Sequence, residues 1–327
     1  MIVSIVIPAR NEESSIEQLV TLIRATFSDM AHVAAHEIIL VDDGSMDGTW
    51  PVIQRLSAQP EGDVKGIRLR RNFGKATALS AGFKECAGDL IVTMDADLQD
   101  DPKEIPRFIE KIDEGYDLVS GWKRIRNDPL SKTAPSRLFN GVTARLTGID
   151  LHDFNCGFKC YRREVIDSIV LYGELHRYIP VLAHDLGFKI GELPVEHHPR
   201  LHGVSNYGWE RYARGMVDLL TVLAITRWLH KPGHLFGGLG LLIGLMGFSV
   251  LGYLFVVWLL GLGTIGGRPL LTFGVLTTLV SLQMISLGVI AEFFIKFNQP
   301  KQFNTFIAAR SSGDAKRPEP SKEVGPS

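Results

Sequence analysis

Cysteine is scarce in this chain, with 3 in 327 residues, which excludes a disulfide framework and points to a reducing compartment for the folded part. An excess of either charge is missing too. Lys and Arg number 35 against 36 Asp and Glu, a formal net charge of −1, so no global field recruits nucleic acid, and none is expected as a partner. A disordered or collagen-like composition is also absent, since 45% of residues are hydrophobic and 22% charged. The length suffices for one sizeable domain and an appendage. No basic stretch precedes the apolar run Met1 to Pro8, and Arg10 to Glu13 follow it at once, so the start does not read as a signal peptide.

The most informative absence is charge over two long windows. Leu235 to Gly263 and Pro269 to Ala291 contain none, and each exceeds the ~20 apolar residues that span a bilayer. The short linker between them predicts a hairpin of two transmembrane helices within 235–297. Arg227, Lys231, Lys296, Lys301 and Arg310 flank its open end, whereas Arg268 alone lies in the turn. The positive-inside rule then places both termini and the preceding domain in the cytoplasm, with a multi-pass anchor in the plasma membrane. Gly240 and Gly244 form a small-residue pair suited to close helix contact, and Glu292 is expected at headgroup level. Residues 209–231 read as an amphipathic juxtamembrane helix, either interfacial or packed on the domain. Residues 298–327 are polar and read as a disordered cytoplasmic tail.

Residues 1–208 read differently. Apolar, β-branched runs recur at Met1 to Pro8, Glu37 to Val41, Val64 to Leu69, Leu90 to Met94 and Asp117 to Ser120. Between them lie helical patterns at Glu13 to Phe27, Lys75 to Glu85 and Lys103 to Glu114. Alternation of this kind predicts an α/β fold, a parallel sheet covered by helices on both faces. Pro135 to Leu146 is a further candidate helix and Lys189 to Glu196 a candidate strand. Ligands of such sheets bind at the carboxyl ends of the strands, so the polar residues there are the candidates for function.

The fourth run ends in Asp95-Ala96-Asp97-Leu98-Gln99-Asp100-Asp101. Four carboxylates in seven positions repel one another unless a cation or ligand compensates. Hard oxygen donors suit Mg²⁺ or Mn²⁺, which in turn holds a diphosphate. Asp100 and Asp101, before Pro102, also fit a helix cap. The second run ends in Val41-Asp42-Asp43-Gly44-Ser45, readable as a nucleoside-binding acid or as a turn with a cap. Arg70, Arg71 and Lys75 read either as diphosphate contacts or as a solvated turn. Cys156 and Cys160 lack a second pair, so no zinc site is expected. His197, His198 and His202 read as surface or phosphate-contacting residues, and Trp122, Trp209 and Trp228 as residues for a membrane surface.

Taken together, Ser4 to Pro8 with Asn11-Glu12, Val41 to Ser45, and Asp95 to Gln99 resemble the family 2 glycosyltransferases of GT-A fold. Asp153-Phe-Asn-Cys-Gly-Phe-Lys159 and Arg200-Leu-His-Gly-Val-Ser205-Asn206-Tyr207 resemble its polyprenyl-phosphate branch. That branch includes dolichol-phosphate mannosyltransferase and the bacterial undecaprenyl-phosphate glucosyltransferases. The resemblance implies that Pro8, Arg10, Glu12, Val41 and Asp43 line the nucleotide. It implies that Asp95, Ala96, Lys123 and Arg200 contact the donor, and that Asp97 and Gln99 hold Mg²⁺ or Mn²⁺. Lys123 stands where related enzymes often carry Arg, and Asn206 where they often carry Lys. Arg137, Lys159, Arg162, Arg200, Ser205 and Asn206 are the candidates for the acceptor phosphate. Asp97, Asp153 and Arg200 are the candidate catalytic residues, with Asp153 organising the acceptor or serving as a nominal base.

The expected function is inverting transfer of a hexose of glucose or mannose type, from a nucleotide sugar, to polyprenyl phosphate at the cytoplasmic membrane face, for envelope glycans. UDP is favoured over GDP. A lipid phosphate is already ionised near neutral pH, so it needs charge management rather than a strong base. The two-helix anchor admits association into a homo-oligomer. One rival is a polysaccharide-extending synthase, which usually has more spans and a Gln-x-x-Arg-Trp motif; Ala224-Ile-Thr-Arg227-Trp228 lacks that Gln. The other is a non-catalytic subunit that binds nucleotide sugars.

Overall fold

Runs of β-branched, uncharged residues become strands that are buried on both faces. In the computed structural model, which describes residues 1–30, 33–124, 140–196, 198, 218–219, 221–224, 226 and 232–298, the chain divides into two compact units, Met1–Lys231 and Pro232–Ser327.

The first unit runs β1 (Ile2–Ala9), α1 (Ile16–Ser28), β2 (Ala35–Asp42), α2 (Thr49–Ser57), β3 (Val64–Arg68), α3 (Lys75–Glu85) and β4 (Leu90–Thr93). After a 3₁₀ turn at Pro102–Glu104 come α4 (Ile105–Asp113), β5 (Leu118–Trp122), β6 (Lys159–Arg162), α5 (Arg163–Ser168), α6 (Ile179–Asp185) and β7 (Ile190–Pro194). The seven strands have the order β3-β2-β1-β4-β6-β5-β7. All neighbouring pairs are parallel except those made by β6, which runs antiparallel to β4 and β5. Alternate residues serve opposite layers, as the period of a strand requires. Val3, Ile5, Ile7, Ile38 and Leu40 pack with Ile16, Leu19 and Ile23 of α1, Ile53 of α2 and Phe108 and Ile109 of α4. Val6, Ile39, Val41 and Ile91 pack with Ala78 and Leu79 of α3 and Ile179 and Ala183 of α6. With both faces covered, apolar residues run almost continuously along the central strands.

Several boundaries differ from the sequence expectation. α1 begins at Ile16 rather than Glu13, because residues 11–15 form a turn tied to the next loop: Glu12 N donates to Thr49 Oγ1 and Ser15 Oγ donates to Glu12 O. The fifth strand extends past Ser120 to Trp122. β6 and α2 are elements the sequence reading did not name. Of the candidate helix at 135–146, the part from 140 is helical. Of the 209–231 segment, residues 218–219, 221–224 and 226 are described, and Leu219, Val222 and Leu223 are buried in a third cluster with Ile149, Leu151, Phe154 and Tyr178; the other residues of that segment, and the 299–327 tail, lie outside the described residues.

The second unit contains α7 (Pro232–Leu259) and α8 (Pro269–Asn298), both long and apolar enough to cross a membrane. Its contact face is made of small residues. A Cβ on Gly244 would lie 2.6 Å from Ser281 Oγ, and Ser281 Oγ donates to the Gly240 carbonyl at 2.7 Å. Large side chains such as Leu241, Leu245 and Phe248 point outward. This is the inverse of a water-soluble core and the arrangement expected of helices packed in lipid. Glu292 accepts a hydrogen bond from Gly233 N at 3.1 Å, satisfying an otherwise unpaired amide in the first turn of α7.

Candidate functional site

Register brings the strand ends level. Pro8 pairs with Val41 and Ala9 with Asp42; Val6 pairs with Thr93, and Thr93 with Lys159. Chain order reverses between β1 and β4, the switch point at which open α/β sheets bind ligands. Because β6 is antiparallel, its amino end and the preceding 153–158 segment share this rim with the carboxyl ends of β1, β2, β4, β5 and β7. Candidates far apart in sequence (Pro8, Arg10, Glu12, Val41, Asp43, Asp95, Ala96, Asp97, Gln99, Lys123, Asp153 and Lys159) therefore lie along one edge. Arg137, Arg200, Ser205 and Asn206, with His197 and His202, lie outside the described residues.

The loops after β1 and β2 are laced together. Asn11, at φ 57°, donates its amide to Ser45 Oγ, and its side-chain oxygen accepts from Met46 N, both at 2.9 Å. Asp42 accepts from Ser45 N at 2.8 Å. Asp43 is 5% exposed, and its two oxygens accept from Phe73 N at 2.7 Å and Gly74 N at 3.0 Å. It thus anchors the loop entering α3. Gly44 makes this approach feasible. It has φ +69°, and a Cβ there would lie 2.4 Å from the Arg71 carbonyl carbon. Arg10 is exposed and Glu12 half-buried, with the Glu12 carboxylate accepting from Ser15 Oγ at 2.9 Å.

The acidic segment after β4 separates into distinct roles. Asp95 forms an ion pair with Lys75, the first residue of α3. Burial would raise the Asp95 pKa, but the Lys75 and Lys123 ammoniums outweigh it and hold the carboxyl well below the usual range. Asp100 is 1% exposed and pairs with Lys123 at 2.8 Å. Burial alone would lower the Lys123 pKa, yet the charge of Asp100 keeps it raised. Lys123, expected at the donor, is thus committed to Asp100, and of the two expected capping acids it is Asp101 that accepts from Lys103 N. Leu98, between the two candidate metal ligands, adopts φ 59°, a conformation rare for a branched side chain and concentrated at functional sites.

Asp97 and Gln99 are half-buried. Gln99 exchanges hydrogen bonds with the His198 backbone, accepting from its N at 2.9 Å and donating its side-chain amide to its O at 3.4 Å. Among the described residues no group of three His, Cys, Asp or Glu side chains forms a closed metal cage. One carboxylate and one amide oxygen fit instead a hard divalent ion that takes its remaining ligands from substrate phosphate and water.

On the β6 side, Asp153 is 1% exposed and accepts from Asn155 N at 3.1 Å, a turn-forming contact. Lys159 is 2% exposed, donates to the Cys156 carbonyl, and has its pKa lowered by burial. Cys156 is 2% exposed and packs in the core, and burial pushes its thiol up to about 12. Arg162 is removed from the acceptor candidates. It lies at the opposite end of β6 and donates to the Ile112 and Tyr116 carbonyls, closing the end of α4. The sequence reading missed the Asp43 anchor, the Lys75–Asp95 and Lys123–Asp100 pairs and the closeness of Gly157 to Asp95, all of which are contacts between separate segments. Trp122 stacks on His152 with ring centroids 4.2 Å apart, and Glu192 holds the His152 ring at 2.7 Å.

Residues 4–170 match the family described as Glycosyl transferase family 2. The chain is 41% identical over 294 residues to the dodecaprenyl-phosphate galacturonate synthase of Rhizobium johnstonii, covering 88% of this chain and 86% of that protein. It is 37% identical over 293 residues to the undecaprenyl-phosphate 4-deoxy-4-formamido-L-arabinose transferase of Shewanella sediminis, covering 89% and 86%. Among solved structures, the glucosyl-3-phosphoglycerate synthase of Mycobacterium tuberculosis, in complex with Mn²⁺, UDP and phosphoglyceric acid, is similar with a TM-score of 0.52 at 19% identity. The match covers 68% of this chain and 78% of that one, and it is a likeness of fold, the GT-A fold.

Proposed function

The chain belongs to glycosyl transferase family 2, and from that premise we propose that it moves a sugar from a nucleoside diphosphate donor to a polyprenyl phosphate at a membrane surface. Its polyprenyl-phosphate relatives support the acceptor, and its two membrane-length helices suit a lipid substrate. The observation that carries the reading is the rim beside the β1/β4 switch point, on which Asp43 follows the end of β2 and Asp95, Asp97 and Gln99 follow the end of β4.

In the proposed reaction, an oxygen of the lipid phosphate forms a bond to the anomeric carbon as the bond from that carbon to the diphosphate breaks. The nucleoside diphosphate leaves with the electron pair, and in-line attack inverts the anomeric centre. No proton has to be removed from the nucleophile, so the site's task is to hold two anions together. Pro8, Arg10, Glu12 and Val41 line the nucleotide beside the Asp43-anchored loop. Asp95 and Ala96 meet the donor, and Asp97 and Gln99 hold Mg²⁺ or Mn²⁺, which when bound offsets charge on the leaving diphosphate. Lys159 and Asp153 order the acceptor side, with Arg137, Arg200, Ser205 and Asn206 as its further phosphate contacts. UDP is the favoured nucleotide. Galacturonate and 4-deoxy-4-formamido-L-arabinose, named in the relatives, stand beside glucose and mannose as sugars to try. Residues 1–208 form the catalytic domain, cytoplasmic together with both termini.

The test mixes the detergent-purified full chain with undecaprenyl phosphate, Mg²⁺ or Mn²⁺ and radiolabelled UDP- and GDP-sugars, and counts label in the organic phase. Lipid-bound label from one donor, lost with EDTA, is the expected result. Absence of label from every donor, with nucleotide binding intact, overturns the proposed acceptor.

A further inference from the structure

We propose that Lys75 is a positioning residue of the donor site, acting through the carboxylate of Asp95, and that Gly157 is the cradle that admits the pair. This rests on the reading of the rim as a glycosyl-donor site. Contacts run unbroken from the end of β2 to the end of β4. Asp43 holds the amides of Phe73 and Gly74, and Gly44 lets the Arg71–Asn72 backbone lie against it. Lys75 is the next residue, so the start of its side chain is set by Asp43. Its ammonium then meets Asp95 Oδ1. From the β6 side, a Cβ on Gly157 would lie 2.8 and 2.9 Å from the two Asp95 oxygens and 2.9 Å from Lys75 Nζ. A side chain at 157 would therefore have to displace the ends of both Asp95 and Lys75, and Asp95 is located by three separate segments.

The chemistry explains why such fixing matters. Asp95 is about one-third exposed on a rim that is to receive a diphosphate. An unpaired carboxylate there repels the donor. Paired with Lys75, it keeps its remaining lone pairs for donor hydroxyls without adding net negative charge. The charge of Asp95 is thus met within the protein by Lys75, whereas the cation is assigned to Asp97 and Gln99.

The experiment measures kcat and donor KM of the full-length protein for wild type, Lys75→Met, Lys75→Arg, Asp95→Asn, the Lys75→Met/Asp95→Asn double variant and Gly157→Ala. Lys75→Met is expected to lower kcat by about 100-fold, the scale of a misplaced reacting group, with a smaller change in KM. Lys75→Arg restores most of the loss. In the Asp95→Asn background, Lys75→Met adds little to the loss of kcat, because the two act as one unit; a merely structural lysine would lower the thermal midpoint and leave kcat per folded molecule unchanged. Gly157→Ala keeps both charges and is expected to lower kcat by displacing them. Additive losses, or an unchanged kcat in Lys75→Met, overturn the inference. Should Lys75→Met fail to fold, Gly157→Ala decides, and an unchanged kcat there overturns it. Wild type without transfer from any donor overturns the donor-site reading itself, whereas failure confined to the variants overturns only the role of Lys75.

Discussion

The two edges of the sheet carry the same kinds of residue and use them differently. At the amino edge, Glu37 accepts from Ser4 Oγ at 2.5 Å, Ala87 N at 2.6 Å and Lys65 Nζ at 2.7 Å. Asp63 there is held by Arg24 at two points, 2.6 and 2.8 Å. Each acid is answered by neighbouring strands or by the helix that packs on them. At the carboxyl edge the acids answer something else: Asp43 pins a loop, Asp95 and Asp100 bind lysines from distant segments, and Asp97 precedes the left-handed Leu98, with the amide of Gln99 on its other side. Acids at the amino edge hold the fold together, whereas those at the carboxyl edge shape a surface. The difference follows from direction alone, because in a parallel sheet every loop after a strand opens on the same side.

The contrast is broken most severely by Asp97→Asn. It is expected to lower kcat by about 10²–10³-fold, as loss of one preorganised electrostatic group does, with the thermal midpoint little changed. Glu37→Ala is the converse: a loss of about 2–3 kcal/mol, from the partners left unsatisfied, read by thermal unfolding, with kcat per folded molecule retained.

The pH dependence sharpens the same contrast. Burial raises the Glu37 pKa, but its bonds from Lys65, Ser4 and Ala87 bring it below the ordinary 4.5, and Arg24 holds Asp63 below 3.8. Folded values below unfolded ones contribute stability that is full above the ordinary values and lost as pH falls through the folded ones. The unfolding midpoint should drop below about pH 4.5, and Glu37→Gln should flatten that drop; an equally steep fall in the variant would count against Glu37 as a source. The smallest effect belongs to the exposed Glu17–Arg55 pair, where Glu17→Ala should cost below about 0.5 kcal/mol.

Much of this architecture is legible in one dimension. The α3 helix has the bounds its pattern predicts, Lys75–Glu85, and the central strands follow from uninterrupted β-branched runs. The two uncharged windows become the helices of the second unit. β6 escaped notice because Lys159–Arg162 is four residues long and half of it is basic; pairing with β4 and β5 on both sides makes it a strand, and no local pattern reports that. The site was legible as a set of strand-end residues, though not as a set of contacts. Asp43 reads equally well as a nucleoside acid or a turn residue, and only the approach of Phe73 and Gly74 shows what its oxygens hold. Arg162 looks like a phosphate ligand until the antiparallel direction of β6 puts it at the far edge.

The sequence alone determined the alternation of strands and helices, the two apolar spans and the line of polar residues at the strand ends, because periodicity, length and charge act locally along the chain. Tertiary structure decided which acid meets which lysine, with Lys75 reaching Asp95 and Lys123 reaching Asp100. It also decided which glycine lies against that first pair, where a Cβ on Gly157 would come within 3.0 Å of both side chains. Those choices depend on how separate segments pack against a twisted sheet, and a charge does not carry in its own neighbourhood the identity of the partner that folding brings to it.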